Sequence, residues 1–431
     1  MKRTLRVAAL QLRAHDRAAF TDRRLSILTA IEKAAADADL LILPEATVPA
    51  YVLGDDAIDE SAVAAMLHDV RALAADAKTV IVLGTVERER DGLRNRAVVI
   101  DRDGSIAGHA DKLFLWHFDR KWFQAGDRIA PIHTSIGRIG VLVCADGRMP
   151  AIARTLVDRG AECLVMPTAW VTSGRDVGAL ENIQADLLVQ VRAFENNVPF
   201  VAANKCGIER GMVAYCGKSQ IVDANGNVVS VASEQREEAI SATIELAASH
   251  PHRAAQPVPA TSRERLPRRS SRVAITMDTP TDDVAARLQL LDAEYLIAPH
   301  LGDFNVDLER LVPSIVLDDE TPLDPGVLIE PRLAGTRLLI WRVSQSSPWI
   351  QRVARARALE LRIYVVVLDR ETDRAYAIDP DGAIVAGTFG DYRLATFVLD
   401  PERTEQTSVA PATDIAIGLE RIAALIQASP R

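Results

Sequence analysis

Short apolar runs rich in β-branched residues alternate with longer amphipathic stretches through about the first 245 residues of the chain. The run RVAALQL, which begins at Arg6, is followed by a helix-like stretch from about Leu25 to Ala36 and then by DLLILPE. A second helix-like stretch, from Ala62 to Ala77, precedes the runs TVIVLGTVE and RNRAVVID. Strands that alternate with helices in this way form sheets covered by helices. The pattern therefore predicts an α/β sandwich.

The length of 431 residues indicates more than one domain, because single hydrophobic cores stop growing at roughly 250–300 residues. Residues 247–271 are rich in proline, serine and arginine and lack hydrophobic periodicity. This composition is typical of a solvated linker, which explains the arginines better than a basic binding patch does. We therefore predict a first domain at residues 1–246, a linker at 247–271 and a second domain at 272–431.

The predicted second domain repeats the first in weakened form. From Arg272 onward the chain reads RVA, then a helix-like stretch, then EYLIAPH. From Arg6 onward it reads RVA, then a helix-like stretch, then DLLILPE, so the order is the same. Further along, RALELRIYVVVLD and AYAIDPDGAIVA correspond to RAFENNVPFVAAN and SQIVDANGNVVS. The second domain has His300 where the first has Glu45, and the middle of the first domain has no counterpart. We predict a shortened, degenerate and non-catalytic copy; chance similarity between two α/β segments is the alternative.

Charge and composition exclude several classes of protein. The net charge of −9 would repel a phosphate backbone, so nucleic acid is not predicted as a partner. Hydrophobic residues make up 48% and charged residues 25% of the chain, which is typical of a folded globular protein. No apolar run reaches the roughly 18 residues of a membrane span, and the basic start lacks a signal-peptide core, so we predict a cytoplasmic protein.

The four cysteines, Cys144, Cys163, Cys206 and Cys216, show no CxxC pairing, so neither a disulfide framework nor a metal site is predicted. Cys144 differs from the others in its surroundings, because the apolar run GVLV ends at it and ADGRMPAIARTLVDRG then indicates a turn that enters a helix. Backbone N–H groups and the positive end of a helix lower a cysteine pKa. Packing is the alternative role, but this placement favours Cys144 as a nucleophile.

A thiol that attacks an amide needs a base to accept its proton and a donor that stabilises the resulting oxyanion. Histidine, the commonest base, has no obvious candidate at a strand end. Glu45, directly after LLILP, and Lys112, directly after SIAGHAD, both lie at the ends of predicted elements. The chain has seven lysines against 43 arginines, so lysine at position 112 favours a task that a guanidinium cannot perform. Each residue taken alone would more commonly form a surface ion pair.

Five motifs stand in one order along roughly residues 5–245: LILPE, DKLFLW, GVLVCADGR, RAFENNVPFVAANKCG and GKSQIVDANGNVV. Their order and spacing resemble the nitrilase superfamily of carbon-nitrogen hydrolases, in its amidase and N-carbamoyl hydrolase-like branch. The resemblance implies a four-layer αββα sandwich and a Glu-Lys-Cys triad at Glu45, Lys112 and Cys144, which needs no metal or organic cofactor. It also implies dimers packed sheet layer to sheet layer. The second domain is therefore predicted to replace a dimer partner. Whether the whole chain also forms homo-oligomers stays open.

The same resemblance suggests residues around the substrate. Asp119 in KLFLWHFDRKWFQAGD stands where many members carry a second active-site glutamate. His117 resembles a histidine of N-carbamoyl amino acid amidohydrolases, with a histidine bonded to a backbone carbonyl as the alternative. Arg148 is similar to their carboxylate-binding arginine, and bidentate capture suits a guanidinium, although in general amidases this arginine only orients the loop. Trp170 at the rim and Tyr51 in the wall are predicted to line the pocket.

These features predict a hydrolase that cleaves a non-peptide linear amide or N-carbamoyl C–N bond of a small molecule through a cysteine thioester and releases ammonia. Amidase and N-carbamoyl hydrolase activities stay equally open. Nitrilases typically show Cys-Trp-Glu at the nucleophile, whereas Cys144 is followed by Ala145 and Asp146, so nitrile hydrolysis is the weaker alternative. A non-catalytic binding or scaffold protein is the alternative from another class, and the intact triad argues against it.

Overall fold

The computed structural model describes residues 3–55, 57–172, 180–246, 269–279, 281–299 and 312–428. The chain divides into two compact units: unit 1 comprises Met1–His252 and Arg421–Arg431, and unit 2 comprises Arg253–Glu420. The predicted second domain ran to residue 431, but Arg421–Arg431 group with unit 1, so this boundary is corrected. The predicted linker lies outside the described residues except for its last three, of which Ser271 begins a strand. His300 also lies outside them.

Unit 1 alternates strands and helices in the predicted manner. Its strands are β1 (Arg3–Arg13), β2 (Leu40–Ile42), β3 (Val80–Glu89), β4 (Gly92–Ile100), β5 (Ile106–Asp111), β6 (Ile132–Thr134), β7 (Gly137–Val141), β8 (Cys163–Pro167), β9 (Phe200–Ala203), β10 (Lys205–Glu209), β11 (Val213–Cys216), β12 (Gln220–Val222), β13 (Val228–Val231) and β14 (Glu238–Leu246). Its helices are α1 (Phe20–Ala35), α2 (Glu60–Ala77), α3 (Asp119–Trp122), α4 (Pro150–Asp158) and α5 (Val189–Asn196). Helix α1 begins five residues before the predicted start, and α2 begins two residues early.

Two sheets of unit 1 face each other between two layers of helices. The first has the order β11-β10-β1-β2-β3-β4-β5 with β14 on β1, and the second has the order β13-β12-β9-β8-β7-β6. Helices α1 and α2 cover the first sheet, and α4 and α5 cover the second. The predicted αββα sandwich is therefore confirmed for unit 1. Strands β1–β3 run parallel, as do β7–β9, so carboxyl ends of several strands meet at one edge of each sheet.

The helices of the first layer are held by one apolar face each. Ile27 and Ile31 of α1 and Met66 and Val70 of α2 are fully buried against the strands of the first sheet. Each such side chain contributes about 1.5–3 kcal/mol by leaving water. Helix α2 begins after Asp59, whose carboxylate accepts a hydrogen bond from a first-turn amide, as expected of an N-cap. This layer gives the strand ends a rigid base.

Unit 2 is built from shorter sheets. Its strands are β15 (Ser271–Thr276), β16 (Tyr295–Ile297), β17 (Ser314–Asp318), β18 (Leu338–Val343), β19 (Tyr364–Asp369), β20 (Arg374–Ile378), β21 (Ile384–Gly387), β22 (Leu394–Leu399), β23 (Ser408–Ala410) and β24 (Thr413–Asp414). Its helices are α6 (Asp282–Leu290), α7 (Gly326–Leu333), α8 (Pro348–Leu361) and α9 (Pro401–Glu405), and α10 (Ile415–Ala428) contains residues of both units. Across the described ranges, no helix has the length and apolar character needed to cross a membrane.

The strand pairing of unit 2 follows that of unit 1. Strand β15 pairs in parallel with β16 and antiparallel with β22, as β1 does with β2 and β14. Strands β17, β18 and β19 run parallel and continue into antiparallel β20 and β21, as β7, β8 and β9 continue into β12 and β13. Strands equivalent to β3, β4 and β5 are absent from the sheets formed by the described residues of unit 2.

Candidate active site

Glu45 follows strand β2 and is completely buried. Its Oε1 atom accepts hydrogen bonds from Lys112 Nζ at 2.7 Å and from Asn95 Nδ2 at 2.7 Å. Its Oε2 atom, also buried, has no hydrogen-bond partner among the described residues. A buried carboxylate oxygen without a donor is costly for the fold and requires an explanation, for which a catalytic role is one candidate. Glu45 is thus oriented through one oxygen and has the other available as a proton acceptor.

Lys112 follows strand β5 and lies between two carboxylates. Its Nζ atom is 2.7 Å from Glu45 Oε1 and 2.6 Å from Asp119 Oδ2, and all three side chains are buried. Burial lowers the pKa of the ammonium, but the charges of Asp119 and Glu45 outweigh it and hold the pKa well above its usual value. Asp119 is fixed in turn by Tyr51, whose hydroxyl donates to Oδ1 at 2.9 Å. Lys112 is therefore a protonated, immobilised cation.

Cys144 is the first residue of a 3₁₀ turn, Cys144–Arg148, that follows strand β7. Its φ of 48° is left-handed, a strained conformation for a non-glycine residue. Burial and the negative charge of Glu45 raise the pKa of the thiol to about 12, against the opposing effects of Lys112, the Thr168 hydroxyl and the Ala169 amide. The thiol is therefore neutral near pH 7.

The expectation that a helix terminus lowers the pKa of Cys144 is wrong. Helix α4 begins only at Pro150, after the 3₁₀ turn, so the thiol does not lie at the positive end of an α-helix. The dominant effect is loss of water around a buried sulfur beside a carboxylate. A neutral thiol requires a base before it can attack, and the unpartnered oxygen of Glu45 suits that task.

Asp146 joins the turn of Cys144 to the segment that follows Lys112. Its Oδ1 accepts from the amides of Leu113 at 3.0 Å and Phe114 at 2.7 Å, and its Oδ2 accepts from the amide of Val143 at 3.0 Å. Burial raises the pKa of the carboxyl to about 7, although these amides and Lys112 oppose the change. Sequence reasoning missed this role; the available signal was an acidic residue two positions after the cysteine, inside an apolar stretch.

Comparison with known proteins agrees with this geometry. Residues 6–254 match the family model described as carbon-nitrogen hydrolase. The chain belongs to the carbon-nitrogen hydrolase family. This result confirms the resemblance to the nitrilase superfamily that the five sequence motifs carry.

Relatives of this carbon-nitrogen hydrolase include a probable nitrilase from Schizosaccharomyces pombe, 30% identical over 221 residues that cover 50% of this chain and 78% of the relative. An (R)-stereoselective amidase from Pseudomonas sp. is 29% identical over 206 residues, covering 47% and 72%. The crystal structure of a carbon-nitrogen hydrolase from Helicobacter pylori G27 is 26% identical, covers 56% of this chain and 89% of that chain, and has a TM-score of 0.50. The similarity covers the first half of the chain.

The carbon-nitrogen hydrolase unit places the other predicted site residues in different settings. The Arg148 guanidinium stacks on the ring of Trp116 at 4.2 Å and has no carboxylate partner among the described residues. Burial lowers its pKa to about 10, against the opposing effect of Cys144. His117 is partly exposed, adopts a φ of 50° and packs edge-on against the ring of Phe118. Arg148 is therefore the predicted substrate ligand whose charge stays available.

Two aromatic residues lie in surroundings that differ from the predicted ones. Trp170, expected at the rim, is only 1% exposed, and its amide donates to Asn204 Oδ1 at 2.7 Å. Its Nε1 is buried without a partner among the described residues. Tyr51, expected in the pocket wall, lies beneath Lys112, with Nζ 5.4 Å from its ring centroid and its hydroxyl on Asp119. Tyr51 therefore supports Lys112 instead of presenting a free hydroxyl to a substrate.

One group of potential metal ligands lies on the first sheet. Ligand atoms of Glu89, His109 and Asp111 lie within 4.8 Å of one another. Arg96 already pairs with both carboxylates and also with Glu87. Its guanidinium supplies the positive charge that a cation would provide, so this group is a salt-bridge network and does not form part of the candidate active site.

Replacing Glu45 by glutamine is expected to lower the pKa of Cys144, because the charge of Glu45 is, after burial, the largest influence that raises it. The measurement is the ultraviolet absorbance of the thiolate during a pH titration, with the matching Cys144→Ala protein subtracted. Glu32→Gln, on the exposed face of α1, is the control and should leave the titration unchanged. A Cys144 titration that does not move in Glu45→Gln would show that the two groups are not coupled.

Proposed function

We propose that this chain hydrolyses a linear, non-peptide amide or N-carbamoyl C–N bond and releases ammonia through a thioester on Cys144. The observation that carries the proposal is the buried cluster in which Lys112 bridges Glu45 and Asp119 beside a neutral thiol. This cluster contains a nucleophile, a base with one unpartnered oxygen and a fixed cation, which are the groups that acyl transfer from nitrogen requires.

In the proposed first half-reaction, Glu45 Oε2 accepts the proton of Cys144, and Sγ attacks the substrate carbonyl carbon. The carbonyl π electrons move to oxygen, and the resulting oxyanion is stabilised by Lys112 and by backbone N–H groups of the turn at Cys144. Lys112 has three N–H donors, of which two are bound to Glu45 and Asp119, so the third is available to the oxyanion. The oxyanion collapses, the C–N bond breaks, and nitrogen takes the proton from Glu45 and leaves as ammonia.

In the second half-reaction, Glu45 removes a proton from water, and the hydroxide attacks the thioester carbon. The second tetrahedral intermediate collapses with cleavage of the C–S bond, and the thiolate regains its proton from Glu45. The product is a carboxylic acid or, when a ureido compound has lost its terminal nitrogen as ammonia, a substituted carbamate that decomposes to carbon dioxide and the amine. Glu45 serves both halves because Asn95 and Lys112 hold it through Oε1 alone.

The proposal is tested by measuring ammonia release from the purified full-length chain with a panel of ω-amides, ureido acids and nitriles. Turnover of amides or ureido acids supports it and decides between amidase and N-carbamoyl hydrolase activity. Turnover of nitriles alone would favour the nitrilase alternative. Absence of turnover, together with failure of iodoacetamide to label Cys144, would favour a non-catalytic binding protein.

Arg148 is expected to bind a carboxylate of the substrate. Charge-assisted hydrogen bonds from a partly buried guanidinium contribute about 1.5–3 kcal/mol, so Arg148→Leu should raise KM for a carboxylate-bearing substrate about 10- to 100-fold. KM for an uncharged amide of similar size should change less than about threefold. The control is Arg90→Leu, in the exposed turn between β3 and β4. Equal loss for both substrates would mean that Arg148 only orients the loop.

We propose that unit 2 is a shortened copy of unit 1. Besides the strand pairing, a buried side-chain contact repeats in both units. Arg192 Nε donates to Gly147 O at 3.1 Å, and Arg357 Nε donates to Pro322 O at 3.0 Å. Each arginine is also ion-paired with a glutamate three residues later in the same helix. Matched contacts in matched elements support a common origin better than chance similarity of two α/β segments.

The copy is proposed to be non-catalytic because the nucleophile position holds an aspartate. Gly147 lies three residues after Cys144, and Pro322 lies three residues after Asp319, which also follows a strand and has a φ of 47°. Asp319 is exposed, and its Oδ1 accepts from the amide and hydroxyl of Ser344 at 2.8 Å and 2.5 Å. A solvated, hydrogen-bonded carboxylate there does not provide thiol chemistry.

A further inference from the structure

A buried ion pair on strand β10 has no part in the mechanism above. Lys205 and Glu209 stand four residues apart, both are almost completely inaccessible, and Nζ lies 3.7 Å from Oε2. Lys205 Nζ also donates to the carbonyl oxygen of Ala46 at 3.1 Å and faces the rings of Tyr51 and Tyr215 at 6.0 and 5.7 Å. A buried ammonium is costly unless it is fully used, so these contacts require an explanation.

The contacts of the pair converge on one segment, residues 46–52, which directly follows Glu45. Lys205 holds its first residue through Ala46 O, and Glu209 Oε1 accepts from the amide of its last residue, Val52, at 2.6 Å. Ala46 has a left-handed φ of 42°, so its conformation depends on such support. The segment also carries Tyr51, which orients the Asp119 carboxylate beneath Lys112. Two residues of strand β10 thus fix both ends of the segment that follows Glu45.

Lys205 lies among other buried titratable groups. Burial lowers its pKa, while Glu209, Glu45 and Cys144 oppose this change. The charged and titratable groups around Glu45 come from several elements: Lys112 after β5, Asp119 of α3, Cys144 of the 3₁₀ turn, Tyr51 of the following segment, and Lys205 and Tyr215 of the β10–β11 pair. Lys112 is paired with Glu45 and Asp119, and Lys205 is paired with Glu209.

We propose that Lys205, supported by Glu209, is a positioning residue that fixes the segment following Glu45 and so holds this base in place beside Cys144. The proposal rests on the assignment of Glu45 as the base in the proposed function. Both side chains are almost completely inaccessible, so neither is expected to contact the substrate. Loss of these contacts should therefore lower the reactivity of Cys144 and leave substrate affinity nearly unchanged.

The test measures the rate of Cys144 alkylation by iodoacetamide at one pH near neutrality, which needs no substrate. Lys205→Met removes the hydrogen bond to Ala46 O, so the segment no longer holds Glu45 in place and the alkylation rate should fall about 3- to 10-fold. Lys205→Arg, which keeps a donor and the positive charge, should retain most of the wild-type rate. Alkylation is followed by mass spectrometry of the Cys144 peptide.

Two further variants separate this role from simple stabilisation. Lys33→Met, on the exposed face of α1, is the control and should leave the alkylation rate unchanged. If Lys205→Met fails to fold, Lys205→Met/Glu209→Met removes both buried charges together with both contacts to the segment, and it should show at least the same fall in rate. A reduced melting temperature with an unchanged alkylation rate in either variant would overturn the proposal. A chain that turns over no amide but shows the slower alkylation would contradict the proposed substrate class and leave the role of Lys205 supported.

Discussion

Replacing Cys144 by alanine is expected to reduce turnover by at least about 10⁴-fold, to background, because no thioester can form without the sulfur. Replacing Glu45 by glutamine should reduce kcat by about 10²- to 10⁴-fold, because the neutral amide keeps the shape of the side chain but cannot accept the thiol proton. The thiol, with a pKa of about 12, does not ionise unaided near neutral pH. Ammonia release by the purified full-length variants checks both expectations.

The control for this pair is Cys163→Ala, which removes another buried thiol from strand β8 and should leave turnover within about twofold. Thermal unfolding should show that both active-site variants stay folded, since neither substitution introduces a new buried charge. Turnover retained by Cys144→Ala would place the chemistry elsewhere in the chain, including unit 2. That result would contradict both the assigned nucleophile and the proposal that unit 2 is non-catalytic.

Replacing Lys112 by methionine is expected to reduce both activity and stability. The two carboxylates of Glu45 and Asp119 would stay buried without their shared cation, and breaking a buried pair in this way costs about 3–5 kcal/mol. Loss of the cation that stabilises the oxyanion should reduce kcat by about 10²- to 10³-fold. Chemical denaturation gives the change in the free energy of unfolding, and ammonia release gives the change in kcat.

A double variant distinguishes the two effects. In Lys112→Met/Asp119→Asn one of the two stranded negative charges is removed, so about half of the lost stability should return. Activity should stay as low as in the single variant, because the cation is still absent. Recovery of activity along with stability would show that Lys112 acts only as a structural counter-ion, and would remove it from the proposed mechanism.

The part of the site that the sequence could predict lies at the ends of apolar runs. Glu45, Lys112 and Cys144 each follow a strand, and β2 and β5 run in the same direction, so their carboxyl ends lie at one edge of the first sheet. Asp119 was predicted near Lys112, and the structure gives a 2.6 Å ion pair. Local patterns sufficed because these positions are fixed by where strands end, which hydrophobic periodicity reports.

The supporting residues could not be predicted in the same way. Asn95 lies in the middle of β4, and its bond to Glu45 depends on which strands are neighbours in the sheet. Asp146 bonds to amides more than thirty residues away along the chain, and no periodic pattern encodes that pairing. Lys205 could have been singled out by the scarcity of lysine that drew attention to Lys112. Its partner, the carbonyl of Ala46, is 159 residues distant and visible only in three dimensions.

The left-handed residue at the strand-to-helix turn occurs in both units, at Cys144 and at Asp319, although only one of them carries a thiol. Backbone torsion at this corner is therefore a requirement of the architecture and is independent of the reaction. The bend alone therefore does not identify a nucleophile. The discriminating feature is whether the residue at the bend lies beside a buried carboxylate and a buried ammonium, as Cys144 does.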